Sequence, residues 1–334
     1  MSVSAERKDF YARLQAKSAA PLWEVLSDIV RKDPRTAVQA ALWRYDEMRP
    51  FIAEAGRIIT AEEAERRVLI LENPGLPAMS RITQSLYAGL QLILPGEIAH
   101  THRHTASALR FILEGSGAYT SVDGERLTMR PGDFILTPFW SYHDHGNPGS
   151  EPVVWLDGLD IPTVNMFDTS FLERKSESPV KNEELHQHKE HEDSPVVVRA
   201  VESSPMKYPY EPHRERLATM AKSGSADPRH GYKLEYRNSK TGAAVLPTIG
   251  AFLQLLPRGF KGAPYRSTDA TIYCAVEGRG TSTIGDRTFS WGLRDIFVVP
   301  SWHAVSHQTG EESVLFSFSD RPAQKALGIW REDT

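Results

Sequence analysis

The chain has 334 residues, with 39 basic and 43 acidic side chains and a formal net charge of −4. A chain of this length can bury roughly three quarters of its unfolded surface and is long enough for two domains. The near-balance of charge does not favour a nucleic-acid partner. The single cysteine, Cys274, excludes an intramolecular disulfide framework, and no apolar run is long enough to span a membrane. Together with a polar N-terminus that lacks a signal-peptide core, these features predict a cytoplasmic protein with no membrane partner.

The first 60 residues differ from the rest because their apolar side chains recur at helical spacing. Pro21 lies where one helix would end and the next begin, and WRYDEMRPFIAEAG forms a third amphipathic segment. We therefore predict a helical N-terminal arm over residues 1–60, which packs on a barrel or on a neighbouring subunit. Thr60 and Glu63 then predict a capping box that leads into a strand at Val68.

A strand with two different faces is predicted from Ser85 onward. Tyr87, Gly89 and Gln91 share one face, and apolar residues occupy the other. A polar face of this kind can point to solvent or into the lumen of a ligand-binding barrel, and the residues alone favour neither.

The segment from residue 96 to residue 147 contains five of the twelve histidines, namely His100, His102, His104, His143 and His145. Gly96 predicts a turn that feeds a strand, on which His102 and His104 share a face and can reach one ion. A second turn at residues 131–132 precedes an apolar run, and two antiparallel strands of a small barrel would bring His143 opposite this pair. The segment therefore predicts a metal site.

Arg110 follows the same alternation as the histidines, so it would also point inward if the strand carries no bulge. An arginine inside a barrel beside a metal needs an anion. Arg110 is thus a candidate to bind a substrate carboxylate, with a buried ion pair as the alternative. Asp157 and Asp160, in WLDGLDIP, could orient a ligand histidine or Arg110, or could cap the end of a strand.

Residues 174–204 are highly charged and contain no aromatic residue, which is typical of an interdomain linker. The linker carries His186, His188 and His191, whose spacing imitates a metal site. Their solvated, acidic surroundings favour a surface segment instead.

An internal repeat follows the linker and predicts a second barrel. Gly96 aligns with Gly259, Gly115 with Gly278 and Pro138 with Pro300. The histidines do not repeat, because Tyr265, Arg266 and Ser267 replace the first pair and Val305 replaces His143. His303 and His307 lie two residues to either side of that position. We expect this barrel to bind no catalytic metal and to serve packing or assembly.

The two histidine segments resemble the two consecutive motifs of the cupin superfamily. The matching residues are Gly96, His102, Arg103, His104 and Gly115 in the first motif, and Gly132, Pro138, Phe139, Trp140, His143 and Asn147 in the second. The cupin spacing selects His102 and His104 over His100. The general cupin pattern also has a glutamate where this chain has Ala108, so the resemblance implies three neutral imidazoles and about three open metal positions. Such an ion should favour a dianionic chelating ligand.

Nearly the whole chain resembles the gentisate 1,2-dioxygenase family, which includes salicylate and 1-hydroxy-2-naphthoate dioxygenases. The phrases that carry this resemblance are LYAGLQLILPGEIAHTHRHTASALRFILEGSGAYT, LTPFWSYHDHGN and WLDGLDIP. It implies a mainly β bicupin, in which two tandem cupin barrels (double-stranded β-helix or jelly-roll) follow the helical arm. The first barrel would span residues 61–173 and the second residues 205–334.

The resemblance further implies one Fe(II) per subunit, held in the N-terminal barrel by His102, His104 and His143. Small aromatic hydroxy acids and dioxygen would be its partners. Arg110 would bind the substrate carboxylate, and His145 would handle a proton or the substrate, with a structural hydrogen bond at the barrel rim as the alternative. Gln91, Tyr87 and Arg66 match positions near the substrate, although Arg66 and Arg67 compete for one role and one of them should face solvent.

The resemblance implies that gentisate is opened between the carbon that bears the carboxylate and the adjacent hydroxylated carbon, giving maleylpyruvate. Salicylate, a substituted salicylate or 1-hydroxy-2-naphthoate would require changes only at the pocket wall, at Tyr87, Gly89 or Val68. Manganese remains an alternative to iron because imidazoles accept several divalent ions. A non-catalytic or isomerase-type metal-binding bicupin is a third possibility. The arm and the metal-free barrel suggest a homodimer or homotetramer.

Overall fold

The first 35 residues form a compact unit of their own. The computed structural model describes residues 4–175 and 205–333, so the histidines of the predicted linker lie outside the described residues. Helix α1 spans Ala5–Gln15 and α2 spans Leu22–Ile29, with Pro21 at the N-cap of α2. Arg7 and Tyr11 of α1 both contact the carboxylate of Glu24 on α2. The apolar face of α2 is solvent-exposed within this unit.

The second compact unit, residues 36–334, contains two β barrels. Its first elements are strand β1 (Ala41–Trp43), helix α3 (Tyr45–Ile58), the short helix α4 (Ala61–Ala64) and strand β2 (Arg67–Ile70). The predicted capping box is present at the start of α4, between Thr60 and Glu63. β1 lies inside the segment that was predicted to be all helix. It is a strand because its backbone pairs with an edge of the second barrel.

The first barrel consists of two antiparallel sheets that face each other. Its remaining elements are β3 (Tyr87–Ile93), β4 (Ile98–His104), β5 (Ala108–Glu114), β6 (Tyr119–Val122), β7 (Glu125–Thr128), β8 (Phe134–Thr137), β9 (His143–Gly146), β10 (Val153–Leu159), α5 (Ile161–Met166) and β11 (Leu172–Arg174). A five-stranded sheet has the order β11-β4-β9-β6-β7. A six-stranded sheet, in which β8, β5, β10, β3 and β2 are adjacent in that order, covers it.

The second barrel repeats this arrangement. Its elements are β12 (Lys207–Tyr208), α6 (Tyr210–Ser223), β13 (Tyr232–Tyr236), β14 (Gly250–Leu256), β15 (Arg266–Ser267), β16 (Thr271–Glu277), β17 (Gly280–Ile284), β18 (Arg287–Trp291), β19 (Ile296–Val299), β20 (Val305–Gln308), β21 (Ser313–Ser319), α7 (Arg321–Ala326) and β22 (Glu332–Asp333). The large sheet has the order β1-β19-β16-β21-β14-β13, and β18-β17-β20 lies opposite. The predicted mainly β architecture of two tandem barrels with N-terminal helices is confirmed.

The two barrels exchange edge strands. β12 follows the linker in sequence, yet it pairs with β8 and completes the large sheet of the first barrel. β1 precedes the first barrel and completes the large sheet of the second. The predicted borders at residues 60 and 205 therefore differ from the spatial ones, because one strand of the N-terminal arm completes the second barrel and one strand after the linker completes the first.

The largest hydrophobic core lies between the two large sheets. Phe111 of β5 stacks on Phe316 of β21 with ring centroids 4.1 Å apart and planes 10° apart. Polar contacts fasten the rims of this interface, where Ser85 donates to Asp320 and Thr248 donates to Asp160. Since the outward faces of these sheets are buried against each other, their alternate side chains line the two lumens. No helix within the described residues is long and apolar enough to cross a membrane.

Candidate metal centre

Three imidazoles of the first barrel converge on one point. His102 and His104 lie on β4, and His102 is directly opposite His143 of β9 in the antiparallel ladder. One ring nitrogen from each histidine lies within 4.8 Å of the other two. Their ring centroids are 4.1 to 5.4 Å apart. The strand alternation read from the sequence therefore brings this trio together.

Backbone carbonyl groups orient the three rings. Nδ1 of His102 faces the carbonyl oxygen of His100 at 3.1 Å, Nδ1 of His104 faces that of Ala106 at 2.7 Å, and Nδ1 of His143 faces that of Ser141 at 3.0 Å. A carbonyl oxygen can only accept, so Nδ1 of His104 and of His143 carries the hydrogen and Nε2 keeps its lone pair, whereas Nδ1 of His102 also lies beside Nη2 of Arg66. Nε2 of His143 is buried and has no hydrogen-bond partner among the described residues. This donor set fits a divalent ion.

The environment keeps these imidazoles neutral, which is the form that binds a metal. Burial lowers the pKa of His102 to about 3, and the charge of Arg66 adds to the effect. Burial also lowers the pKa of His104 to about 4, against the hydrogen bond to Ala106. The pKa of His143 falls further, through burial and then the charge of Arg110. All three rings are therefore neutral at neutral pH, with one N–H and one lone pair each.

The trio includes no carboxylate. Ala108, at the position of the usual cupin glutamate, is buried at the start of β5 opposite Thr137. His100, which competes for the same role in the sequence, is exposed, and only its carbonyl oxygen contacts the trio. Imidazoles alone suit several divalent transition metals and leave the charge of the ion uncompensated.

Arg110 points into the barrel beside the histidines, although it lies on a different strand from the one expected. One strand was predicted from His100 to Arg110, but β4 ends at His104 and β5 begins in the other sheet at Ala108. Arg110 is nevertheless buried, and its Nη1 donates to Oγ1 of Thr137 at 2.5 Å. Its Nε is buried without a hydrogen-bond partner among the described residues. An unpaired donor therefore remains on this guanidinium.

Asp157 is the ionic partner of Arg110. Its Oδ1 lies 3.6 Å from Nε of Arg110, and the same oxygen accepts from Nε1 of Trp155 at 2.9 Å. Burial raises the pKa of Asp157 to about 6 and lowers that of Arg110 to about 10, while their mutual attraction opposes both shifts. Both groups are charged at neutral pH, so the two roles considered for Arg110 are compatible. Asp160 instead accepts hydrogen bonds from Ser107 and Thr248, away from the histidines.

His145 lies beside the trio without belonging to it. It is fully buried, its ring centroid is 5.9 Å from that of His143, and Trp155 packs on its other side at 5.5 Å. Nδ1 of His145 is hydrogen-bonded to Oγ1 of Thr120 at 2.9 Å. Nε2 is buried and has no hydrogen-bond partner among the described residues. Burial and the charge of Arg110 hold the pKa of His145 well below its usual range, so the ring is neutral.

The neighbouring arginines Arg66 and Arg67 have different environments. Nη2 of half-buried Arg66 lies 2.6 Å from Nδ1 of His102. Arg67 points the opposite way, is buried and forms an ion pair with Glu97. The expectation that one of them faces solvent is wrong, because Arg67 is buried and Arg66 is half-buried. Arg66 is the one beside the histidines.

The polar face of β3 points into the lumen. Gln91 is buried opposite Trp155 of β10, Gly89 is opposite Asp157, and Tyr87 is half-buried opposite Leu159. A Cβ atom on Gly89 would lie 2.5 Å from Cγ1 of Val68 and 3.0 Å from the hydroxyl oxygen of Tyr87. These side chains therefore form one tightly packed wall of the same cavity.

The second barrel has different residues at the matching positions. Tyr265 and Val305, in place of His102 and His143, are buried and paired with each other. His307 occupies the position of His145, and its Nδ1 is hydrogen-bonded to Oγ of Ser282 as that of His145 is to Thr120. His303 is half-buried and its Nδ1 faces the carbonyl oxygen of Ser301.

Three residues of the site were missed in the sequence. Thr120 holds His145, Thr137 holds Arg110, and Trp155 holds Asp157. Thr137 lies one residue before the cupin proline, where strand alternation would have placed it inward. Thr120 is opposite His145 in the pairing of β6 with β9, which no local pattern reveals, whereas the partner of Trp155 lies two residues on in the same strand.

Comparisons with known proteins agree with this geometry. Residues 89–159 match the cupin domain family. Gentisate 1,2-dioxygenase 1 of Aquipseudomonas alcaligenes is 51% identical over 99% of this chain and 97% of its own length. The 5-aminosalicylate 1,2-dioxygenase of a Comamonas species is 35% identical over 94% of this chain and 86% of its own length.

A solved structure resembles the whole chain. Salicylate 1,2-dioxygenase from Pseudoaminobacter salicylatoxidans, in adducts with gentisate, superimposes with a TM-score of 0.89 at 29% identity and covers 100% of this chain and 95% of its own. The family resemblance read from the histidine motifs is thereby confirmed. The chain belongs to the gentisate 1,2-dioxygenase family of ring-cleaving enzymes.

Proposed function

We propose that this protein is an Fe(II)-dependent dioxygenase that opens gentisate between the carboxylate-bearing carbon and the adjacent hydroxylated carbon to give maleylpyruvate. The single observation that carries this proposal is the convergence of three neutral imidazoles beside two inward-facing arginines and a fourth imidazole, His145. Both atoms of dioxygen enter the product, so the reaction requires no external reductant. We place the enzyme in the cytoplasm as a homodimer or homotetramer.

His102, His104 and His143 would hold the metal through Nε2. Fe(II), when bound, would supply the redox chemistry that couples the aromatic ring to dioxygen. Three neutral ligands leave the ion with its full positive charge, which favours a substrate that offers a carboxylate and an adjacent phenolate oxygen. The geometry thus supports an ortho-hydroxy aromatic acid as the substrate class.

Arg110 and Arg66 would bind the carboxylate of the substrate. Nε of Arg110 makes no hydrogen bond and lies 3.6 Å from Asp157, in a buried position where a charge-assisted hydrogen bond is stronger than in water. Asp157 already compensates the charge of Arg110. The charge of a substrate carboxylate would therefore be compensated by Arg66, which has no carboxylate within 4 Å among the described residues. The two arginines would fix the ring relative to the metal.

His145 would handle the proton of the ring hydroxyl. With Nδ1–H donating to Thr120, Nε2 presents a lone pair toward the cavity and can accept a hydrogen bond from the hydroxyl group. Because the imidazole is neutral, it can take up a proton and return it later in the reaction. Trp155 packs against this ring and limits the access of water.

We propose gentisate ahead of the other substrates because the relative with 51% identity is named a gentisate 1,2-dioxygenase. Relatives named for salicylate and 5-aminosalicylate keep the same chemistry with other ring substituents. In this chain Tyr87, Gly89 and Val68 meet at the cavity wall and would set the preference. A salicylate derivative is therefore the second candidate.

The test is anaerobic reconstitution with Fe(II), followed by oxygen uptake with gentisate, salicylate and 1-hydroxy-2-naphthoate in parallel. We expect uptake with gentisate, with the ring-opened acid appearing in equal amount. If oxygen uptake occurs only with another hydroxy acid, the proposed mechanism stands and the substrate assignment changes. His104→Ala should abolish metal retention and turnover without unfolding the protein, and normal activity in that variant would contradict the metal assignment. Reconstitution with Mn(II) decides between the two metals.

A further inference from the structure

The lumen of the second barrel contains polar groups without partners. Gln254 is fully buried, and neither its amide oxygen nor its amide nitrogen has a hydrogen-bond partner among the described residues. Oγ of Ser317, also fully buried, has none either. Buried polar groups in proteins are nearly always satisfied, so an unpaired amide inside a barrel indicates a missing partner. Such a partner would be polar and would lie in the lumen.

Strand alternation places these groups on the inner wall. On β14, Ala251, Leu253 and Leu255 belong to the core between the barrels, so Phe252 and Gln254 face the opposite way. Ser317 of β21 is opposite Phe252 in the ladder. The unpaired atoms therefore line one region of the lumen.

A cation without a counterion lies beside Gln254. Lys233 of β13 is directly opposite Gln254, so its side chain also enters the lumen. Nζ of Lys233 lies 4.6 Å from the ring centroid of Phe252, and no carboxylate lies within 4 Å of it among the described residues. The side chain is half-buried, which leaves a route from solvent.

Nearby charges are already paired. Arg321 lies over the other side of the same region, 5.4 Å from the Phe252 ring centroid, but it is bound to Asp269 and to the hydroxyl of Tyr265. Two more carboxylates act on Lys233 from a distance. Glu235 is paired with Arg237, and Asp227 accepts from the backbone of residues 229 and 230. None of these acids contacts the ammonium group directly.

Two neutral histidines face the same ammonium group. His307 and His230 are close enough to Lys233 that its charge, together with burial, lowers the pKa of each to about 3. His307 corresponds to His145 of the first barrel, and its hydrogen bond to Ser282 corresponds to that between His145 and Thr120. The second barrel thus has a buried histidine at the position of His145, although it lacks the metal ligands of the first barrel.

We propose that the lumen of the second barrel binds a small carboxylate anion, with the ammonium group of Lys233 as its ion pair and the amide of Gln254 as its hydrogen-bond partner. The amide and the Ser317 hydroxyl both donate and accept, so they also suit a hydroxyl group on the ligand. The site requires no metal, and its existence is independent of the reaction in the first barrel.

The test uses 4-hydroxybenzoate as the probe, since its hydroxyl and carboxylate are too far apart to chelate one ion. The full-length iron-loaded protein is titrated calorimetrically, and crystals are soaked with the probe. We expect Lys233→Met to weaken one binding event at least tenfold and Gln254→Met to weaken the same event. Arg66→Met, in the first barrel, should leave it unchanged. Lys261→Met is the matched control, because this exposed lysine of the second barrel also lacks an ion pair among the described residues.

Melting temperatures separate binding from folding. The probe should raise the melting temperature of the wild type but not that of Lys233→Met. Without probe, both lumen variants should melt at or above the wild-type temperature, since each replaces an unpaired polar group with an apolar one. The proposal is overturned if the probe does not bind, if its density lies only in the first barrel, or if Gln254→Met lowers the melting temperature with the probe affinity unchanged.

Discussion

Nη2 of Arg66 lies 2.6 Å from Nδ1 of His102, the same nitrogen that faces the carbonyl oxygen of His100 at 3.1 Å. A guanidinium only donates and a carbonyl oxygen only accepts, so Nδ1 can satisfy one of them at a time. A metal on Nε2 requires a hydrogen on Nδ1 and therefore selects the carbonyl. Arg66 is then released, and the carboxylate of an incoming substrate is the partner that it can take.

Arg66→Met should raise KM and lower kcat/KM by about 10- to 100-fold, as expected for the loss of one charge-assisted hydrogen bond worth about 1.5–3 kcal/mol. Iron content should stay at the wild-type level because the three imidazoles remain. Steady-state oxygen uptake and metal analysis provide the measurement. Arg57→Met, at an exposed position near the end of α3, is the control. Loss of iron in Arg66→Met would show that this arginine supports the metal site instead.

Arg67→Met should do the opposite and lower stability while leaving KM unchanged. Arg67 is buried against Glu97, whose other carboxylate oxygen accepts from the backbone nitrogen of Leu94 at 2.7 Å. Removal of the guanidinium leaves Glu97 partly buried without its counter-charge, at a cost of about 1–3 kcal/mol. Urea unfolding measures the loss. Equal effects of both variants on KM would contradict the separate roles of Arg66 and Arg67.

The histidine trio was predictable because it depends on local rules. Two residues of spacing place His102 and His104 on one face of a strand, and the repeated turn residues indicate an antiparallel partner for His143. The same local rules gave α1, α2, α3 and the capping box at Thr60. These features need no knowledge of how distant strands pair.

Features that depend on long-range pairing were beyond the sequence. The sequence left open whether Asp157 would orient Arg110 or a ligand histidine, and the pairing of β5 with β10 is what places Asp157 beside Arg110. The strand character of Ala41–Trp43 likewise arises from an edge of the second barrel, more than 250 residues away. Arg110 was placed inward correctly by an argument that assumed one continuous strand, which β4 and β5 do not form.

His145→Gln should retain iron and lose activity. The ring is 5.9 Å from His143 and anchored by Thr120, so its removal leaves the trio intact. Loss of a positioned proton acceptor lowers kcat by about 10²- to 10⁴-fold. His100→Gln, at the exposed neighbour of the trio, should change neither property. Loss of both iron and activity in His145→Gln would indicate that His145 is a metal ligand.

Gly89→Ala should change which ring substituents are accepted. The new methyl group would lie 2.5 Å from Cγ1 of Val68 and 3.0 Å from the Tyr87 hydroxyl oxygen, so one of these side chains must move at the cavity wall. We expect the ratio of kcat/KM for gentisate to that for salicylate to change by about tenfold, the size of a one-methylene effect in a pocket. Gly292→Ala, where a Cβ would meet no atom within 4 Å, is the matched control. An unchanged ratio would place the determinant elsewhere.

His307→Asn should flatten the loss of stability toward acid pH. Burial and then the charge of Lys233 lower the pKa of His307 to about 3, against 6.5 in the unfolded chain. Below pH 6.5 the unfolded state takes up a proton that the folded state does not, so this histidine reduces stability as the pH falls. Between pH 7 and pH 5 the wild type should therefore lose about 2 kcal/mol more than the variant, at about 1.4 kcal/mol per pH unit below 6.5. Urea unfolding at both pH values measures this difference. Asparagine keeps a neutral group that can hydrogen-bond to Ser282, and parallel pH profiles for the two proteins would mean that His307 is protonated in the fold.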